Sequence, residues 1–325
     1  MKKDFKCGLL ILLLLVLISV FGLTVYAGDI KGDMIYDYYK VERNNNKVIE
    51  GMHGFRFRRV NITYDEKIKD NISIRFRLEL VDPGDFVTKE YYLPVLKDNY
   101  IKFKTVNKHE ISLGVMGPPT FEVVESLWGW RVIERTPLDL HKYASSRDIG
   151  LSFKKPYSKD CKFNYTLMLA NGTGNKSEDN KGKKTFLTLG FSPYESMYFE
   201  LYGDIDYSRG NKYKYTNQGF LGILYPKFKL GLLYAVQTHV DRGEEESFEI
   251  ASVFVTNKLT SELDIILRYD KNFQANSKGD EIAYAPYLTT HPVNLVIFGI
   301  SYRLNDKIKV CLLYTSDAAD EEDSV

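Results

Sequence analysis

Arg56, Arg58, Arg75 and Arg77 stand at alternate positions in two short stretches, flanked by apolar residues such as Phe55, Phe57, Ile74, Phe76 and Leu78. A guanidinium stays charged at physiological pH and presents its donors in a fixed fork, so the chemistry open to these residues is electrostatic. Facing water, they would draw anions and repel cations. Paired with Glu79 and other acids, they would instead stiffen the wall that carries them. Arg59 falls out of phase with Phe57, which predicts a bulge near 58–59.

A second group lies in the connection 118–146, which opens with Pro118-Pro119 and carries Glu122, Glu125, Trp128, Trp130, Arg131, Glu134, Arg135 and Asp139. Both tryptophans of the chain are here. Arg131 and Arg135 are four residues apart, which on a helix sets them on one face. Phe121 to Leu127 is the one stretch with a hint of helical period.

Catalytic groupings are missing. There is no G-x-S-x-G elbow, P-loop or H-E-x-x-H, and His53, His109, His141, His239 and His291 are scattered. The expectation is that the protein is not an enzyme and uses no cofactor. Cys7, Cys161 and Cys311 have neither metal nor redox spacing. The stretch Asn171–Asn180 has oxygens suited to Ca²⁺ without the spacing of a calcium loop, so it reads as an external loop and no metal is expected.

The 325 residues have 44 basic and 43 acidic side chains, a net charge of +1. That balance excludes a nucleic-acid binder working through a basic field. Charged residues at 27% and aromatics at 14% exclude a disordered chain. A mean hydropathy of −0.28 excludes a bundle of membrane helices. Tyr 24 and Phe 19 against Trp 2 suits surfaces that are half apolar and half wet.

Residues 1–27 read as a secretory signal: Lys2, Lys3 and Lys6, then an apolar run from Leu9 to Val20, then Val25-Tyr26-Ala27. Cleavage is expected between Ala27 and Gly28, the alternative being an uncleaved anchor helix. Residues 311–325 turn into an acidic string that resembles translated sequencing-adapter read-through. On that reading 311–325 is a non-native tail and the natural chain breaks off near Val310.

Between these ends, residues 28–310 keep a period of two. Ile72, Ile74, Phe76, Leu78 and Leu80 alternate with Ser73, Arg75, Arg77 and Glu79; Met197, Phe199 and Leu201 alternate with Tyr198, Glu200 and Tyr202. Phe163–Leu169, Phe228–Tyr234 and Leu263–Tyr269 repeat the pattern. Short turns, such as 65–71, 107–109, 192–195 and 257–261, alternate with longer polar stretches at 43–53, 83–97, 118–146, 171–183, 206–213, 238–247 and 271–291. Short turns on one side and long loops on the other mark a transmembrane β-barrel. A first strand at Asp33–Val41 and seven hairpins make fifteen strands, the last cut short. The fold class is therefore all-β, an antiparallel transmembrane β-barrel of about sixteen strands when complete, with the closing strand missing. The alternative is a water-soluble β-sandwich or solenoid, which also alternates its faces.

The ordered blocks Gly54–Val60, Ile74–Glu79, Leu113–Pro119, Glu134–Pro137, Ser145–Leu151 and Asn171–Gly174 resemble the phosphate-selective porin-type channels of the anion-porin family. The resemblance implies a sixteen-stranded, commonly trimeric outer-membrane porin for passive diffusion of small hydrophilic solutes, with anions such as phosphate favoured. It also implies that 118–146 folds inward as a constriction, where the residues alone allow an external cap as well. The pore-lining candidates are Arg56, Arg58, Arg75, Arg77 and Glu79; the constriction candidates are Glu122, Glu125, Trp128, Arg131, Glu134 and Arg135. The expected partners are outer-membrane lipid, small inorganic or organic solutes and two further copies of the chain, and no nucleic acid. The second functional reading is a structural or adhesive outer-membrane barrel with a filled lumen, its work done by loops such as 238–247.

Overall fold

The computed structural model describes residues 28–86, 91–156, 162–207 and 212–317. The expected signal 1–27, Ala27 included, and residues 318–325 lie outside the described residues. Fifteen strands form one antiparallel sheet in which each pairs with its neighbours in sequence. The first seven are β1 (Asp29–Lys40), β2 (His53–Lys69), β3 (Ile72–Val81), β4 (Pro94–Lys104), β5 (Glu110–Met116), β6 (Asp148–Lys155) and β7 (Phe163–Ala170). Then come β8 (Lys184–Phe191), β9 (Met197–Tyr207), β10 (Lys212–Leu224), β11 (Phe228–Asp241), β12 (Glu244–Lys258), β13 (Leu263–Asn272), β14 (Asn294–Arg303) and β15 (Lys309–Asp317). Among the described residues β1 pairs only with β2 and β15 only with β14, so the sheet is not closed by their pairing.

The period of two places one apolar face outside. Phe76, Leu113, Leu151, Leu167, Leu189, Leu201, Leu232 and Leu267 are exposed, while Glu79, Ser152, Thr166, Glu200 and Arg268 on the opposite phase are buried. Arg58 is the extra residue of a bulge: Ile35 pairs with Arg59, and Tyr36 with Phe57.

Two expected loops need correction. The stretch 238–247 is no loop: β11 and β12 run on to Asp241 and Glu244, joined by Arg242-Gly243 with φ of 55° and 92°. Those angles are the left-handed pair of a two-residue hairpin turn, which a search for Asn-Gly or Asp-Gly overlooks. At 206–213 both described ends are likewise strand, since β9 reaches Tyr207 and β10 begins at Lys212. The last strand, β15, runs through position 310/311 without a break. Val310, Leu312 and Tyr314 are exposed, and Leu313 packs inward.

The long connection between β5 and β6 carries two helices, α1 (Pro119–Trp128) and α2 (Pro137–Leu140). Proline is tolerated at a first helical turn, where its missing N–H would have no partner anyway. Phe121, Val124, Leu127 and Trp128 recur at helical spacing and are buried. They pack on inward residues of the far wall, including Tyr198, Phe220, Leu233, Phe254, Ile266 and Ile297. The connection thus lies inside the sheet's concave face.

Face assignment can be tested by folding into lipid bilayers. Phe76→Arg and Leu201→Arg should each cost about 2–4 kcal/mol, as a charge on a lipid-facing midplane does, whereas Ser73→Arg on the other phase should fold as the parent does. Equal losses from both sets, in urea titrations of the bilayer-inserted protein, would invert the assignment.

Candidate functional site

The inward face divides into two halves. On the β8–β14 side the strands carry apolar residues on both faces, and the connection 117–147 docks on the inner one. Trp128 meets Phe254 edge-on at 5.1 Å. Gly222 and Gly299 leave the room that Leu127 and Ile133 occupy: a Cβ on either would lie within 3 Å of those side chains.

The connection is fixed by three successive carbonyls. Arg58 on β2 donates to Ile133 O at 2.9 Å, Trp128 Nε1 donates to Glu134 O at 2.8 Å, and Arg268 on β13 donates to Arg135 O. Arg268 and Asp270 are fully buried and paired, with Arg268 Nε 2.8 Å from Asp270 Oδ1. His141 completes this anchor, Nε2 at 3.0 Å from Asp270 Oδ2 and Nδ1 at 2.7 Å from the Tyr287 hydroxyl. A carboxylate only accepts, so this arrangement needs the proton on Nε2, with Tyr287 donating to Nδ1. Next to the anchor, Lys142 has a φ of 63°, and burial pushes its ammonium pKa down, with Arg135 adding to the shift.

On the β1–β7 side a cavity of about 740 Å³ separates the wall from the connection. Arg75, Arg77 and Glu79 line it, as do Glu122, Glu125 and Arg131. The remaining candidates lie elsewhere. Arg56 is not a lining residue: its guanidinium sits 4.2 Å from the Tyr39 ring centroid, 4.9 Å from Phe86 and 4.5 Å from Tyr284. Arg58 is buried against Glu134, 3.2 Å away, because the bulge turns it toward the connection. Trp128 and Glu134 are buried in the anchor, and Arg135 lines a small crevice with Arg58, Arg59 and Tyr284. Arg131 and Arg135 share no helical face, since 129–136 is a turn in which Ile133 and Glu134 both bond back to Trp130 O.

Charged lining residues absent from the expected set are Asp33, Arg59, Lys97, Asp98, Lys102, Glu110, Arg147 and Lys154. Strand alternation had already assigned an inward phase on β3; the register of β4 against it, Arg77 opposite Asp98, is what adds Lys97 and Asp98. Pairing along this wall is uneven. Arg75 is held bidentate by Asp65 at 2.7 and 2.9 Å. Glu79 serves both Arg59 at 3.3 Å and Lys97 at 2.9 Å; Asp98 serves both Arg77 at 3.5 Å and Arg147 at 2.8 Å. Opposite them the ratio reverses: Arg131 lies between Asp139 at 3.2 Å and Glu125 at 3.6 Å. Glu122 reaches the wall at Lys154. The wall therefore has surplus positive charge, to which Arg147 at the end of the connection adds, while Glu122 and Glu125 outnumber Arg131 on the edge that faces it.

No protein-family model matches the chain, and its sequence matches none of the curated proteins. Solved structures do resemble it. The anion-selective porin from Comamonas acidovorans superposes with a TM-score of 0.62 at 13% identity, over 89% of this chain and 90% of that one. The fold is that of a porin barrel. The trimer form of OmpT from Vibrio cholerae gives 0.62 at 12% identity, over 90% and 89% of the two chains. Salmonella typhi OmpF, in complex with daunomycin, gives 0.63 at 8% identity, over 89% and 90%.

Breaking the anchor should free the connection. Asp270→Ala leaves Arg268 buried and unpaired, a loss of about 3–5 kcal/mol. The expected outcome is trypsin cleavage after Arg131 or Arg135 in a barrel whose far-ultraviolet circular dichroism is retained. Unchanged protease resistance would show that the apolar packing alone holds the segment.

Proposed function

We propose that the protein is a bacterial outer-membrane porin, exported through a signal cleaved after Ala27, through which small hydrophilic solutes diffuse passively. The observation that carries this reading is the charged cavity of about 740 Å³ between wall and inserted connection, inside a sheet with an apolar outer face. An apolar face turned outward is costly in water and suited to lipid, and a barrel wall satisfies its backbone groups within itself. The connection 117–147 acts as the constriction, Glu122, Glu125 and Arg131 forming its charged edge.

Anions, phosphate among them, are the favoured solutes. The support is the sharing of Glu79 by two cations and of Asp98 by two more, which leaves net positive charge on the wall. In a narrow passage water screens poorly, so a few uncompensated charges outweigh the near-neutral total. A homotrimer is proposed from the trimer form of the Vibrio cholerae neighbour. The second reading, a structural or adhesive barrel, draws on the apolar filling of half the interior; the extended β11–β12 hairpin replaces the loop it had relied on.

Conductance in planar bilayers separates the two, since a filled barrel passes no current. Under a salt gradient the reversal potential should indicate anion preference. The combined change Arg77→Gln, Lys97→Gln and Arg147→Gln should move it toward cations. Arg75→Gln alone should move it little, because Asp65 already neutralises that charge. A reversal potential indifferent to the triple change would remove the anion preference and leave the channel standing.

A further inference from the structure

The two mouths differ in charge. Hairpin topology puts the seven turns that follow β2, β4, β6, β8, β10, β12 and β14 at one end, and they and the adjoining strand ends carry exposed Lys69, Lys104, Lys108, Lys162, Lys227 and Lys307. Among the described residues only Lys104 of these has an ion pair, with Glu110 at 3.6 Å. The exposed acids of the same turns, Asp70, Glu195, Glu262 and Asp306, are fewer and dispersed. At the other end β12 opens with exposed Glu244-Glu245-Glu246, and Asp280 and Glu281 are exposed in the connection 273–293. Several bases at that end are already neutralised: Lys47 by Glu50 at 2.8 Å, Lys183 by Glu178 at 2.7 Å and Lys212 by Asp241 at 2.7 Å. Exposed Arg43, Lys176, Lys181, Arg242, Lys271 and Lys278 nearly balance the acids that remain, so this end is close to neutral while the turn end is positive.

Building on the channel reading, we infer that the pore is electrically polar along its axis and rectifies current, with anions gathered at a positive turn mouth and none enriched at a near-neutral loop mouth. The turn rim raises the local concentration of its counter-ion. With the loop side at positive potential, anions gathered at the turn mouth move inward and fill the passage. With the opposite polarity they are drawn outward and the passage is depleted. Current is therefore larger in the first case. The effect depends on salt, because the screening length is about 10 Å at 0.1 M and about 3 Å at 1 M.

The test is the single-channel current of the full chain at equal and opposite voltages in planar bilayers, in potassium chloride. The ratio of the two currents should be about twofold at roughly 0.1 M and fall to unity at roughly 1 M. Joint replacement Lys108→Gln, Lys227→Gln and Lys307→Gln should bring the low-salt ratio toward unity while keeping the high-salt conductance. Glu244→Gln, Glu245→Gln and Glu246→Gln together should do the same from the other mouth. Symmetric currents from the parent protein at low salt would overturn the inference and leave the channel reading intact. A ratio that neither triple variant alters would also overturn it, placing the asymmetry at the constriction. Absence of any current would overturn the channel reading itself.

Discussion

A buried arginine has to be matched, and the interior of this barrel is organised around matching Arg268. Its guanidinium and the Asp270 carboxylate are both sealed from solvent. Two charges so placed are tolerable only if their remaining hydrogen-bonding capacity is filled. The strand that carries them cannot supply this. His141 and Ser252 bond Asp270, the carbonyl of Arg135 takes one Arg268 nitrogen, and the Trp128 ring lies 5.4 Å from the guanidinium carbon. Three of those four groups belong to the connection between β5 and β6. Wall and connection are therefore one folding unit: neither can take its conformation without leaving the other's polar groups stranded.

The same attachment bears on the seam between β1 and β15. Arg58 holds the connection from β2 and Arg268 holds it from β13, so a segment inside the barrel bridges strands on both sides of the unpaired edges. Lys309 on β15 lies 5.0 Å from the Trp130 ring. Above the seam, Tyr284 bonds the carbonyls of Arg58 and Asp82, and Asn44 bonds Pro286. Tyr284 does so at a φ of 72°, unfavourable for a tyrosine and offset by these contacts. With half the interior filled by apolar packing, the cavity of about 740 Å³ lies along the charged β1–β7 wall.

Much of this was legible in the residues. Alternation such as Ile74, Phe76 and Leu78 against Arg75, Arg77 and Glu79 is local, because successive strand side chains must point to opposite faces. The bulge at Arg58 was visible as a break in that phase. The fates of individual arginines were not. Arg56, Arg58, Arg75 and Arg77 look equivalent in sequence, yet one is caged by aromatic rings, one anchors the connection, one is neutralised by Asp65 and one shares its carboxylate with Arg147. The dock for the connection did leave a trace: Ile265-Ile266-Leu267 and Leu295-Val296-Ile297-Phe298 are apolar on both phases, as a strand must be when lipid covers one face and protein the other.

The sequence by itself determined the number and order of the strands, their apolar face and a hint of helix at Phe121–Leu127, since each follows from periodicity within about ten residues. Only the tertiary structure decided which charges meet water. That outcome depends on pairings such as Arg58 with Glu134, 76 residues apart, and His141 with Asp270, 129 residues apart. Separations of that kind are set by how the sheet curves and where the connection docks, and no local pattern encodes them.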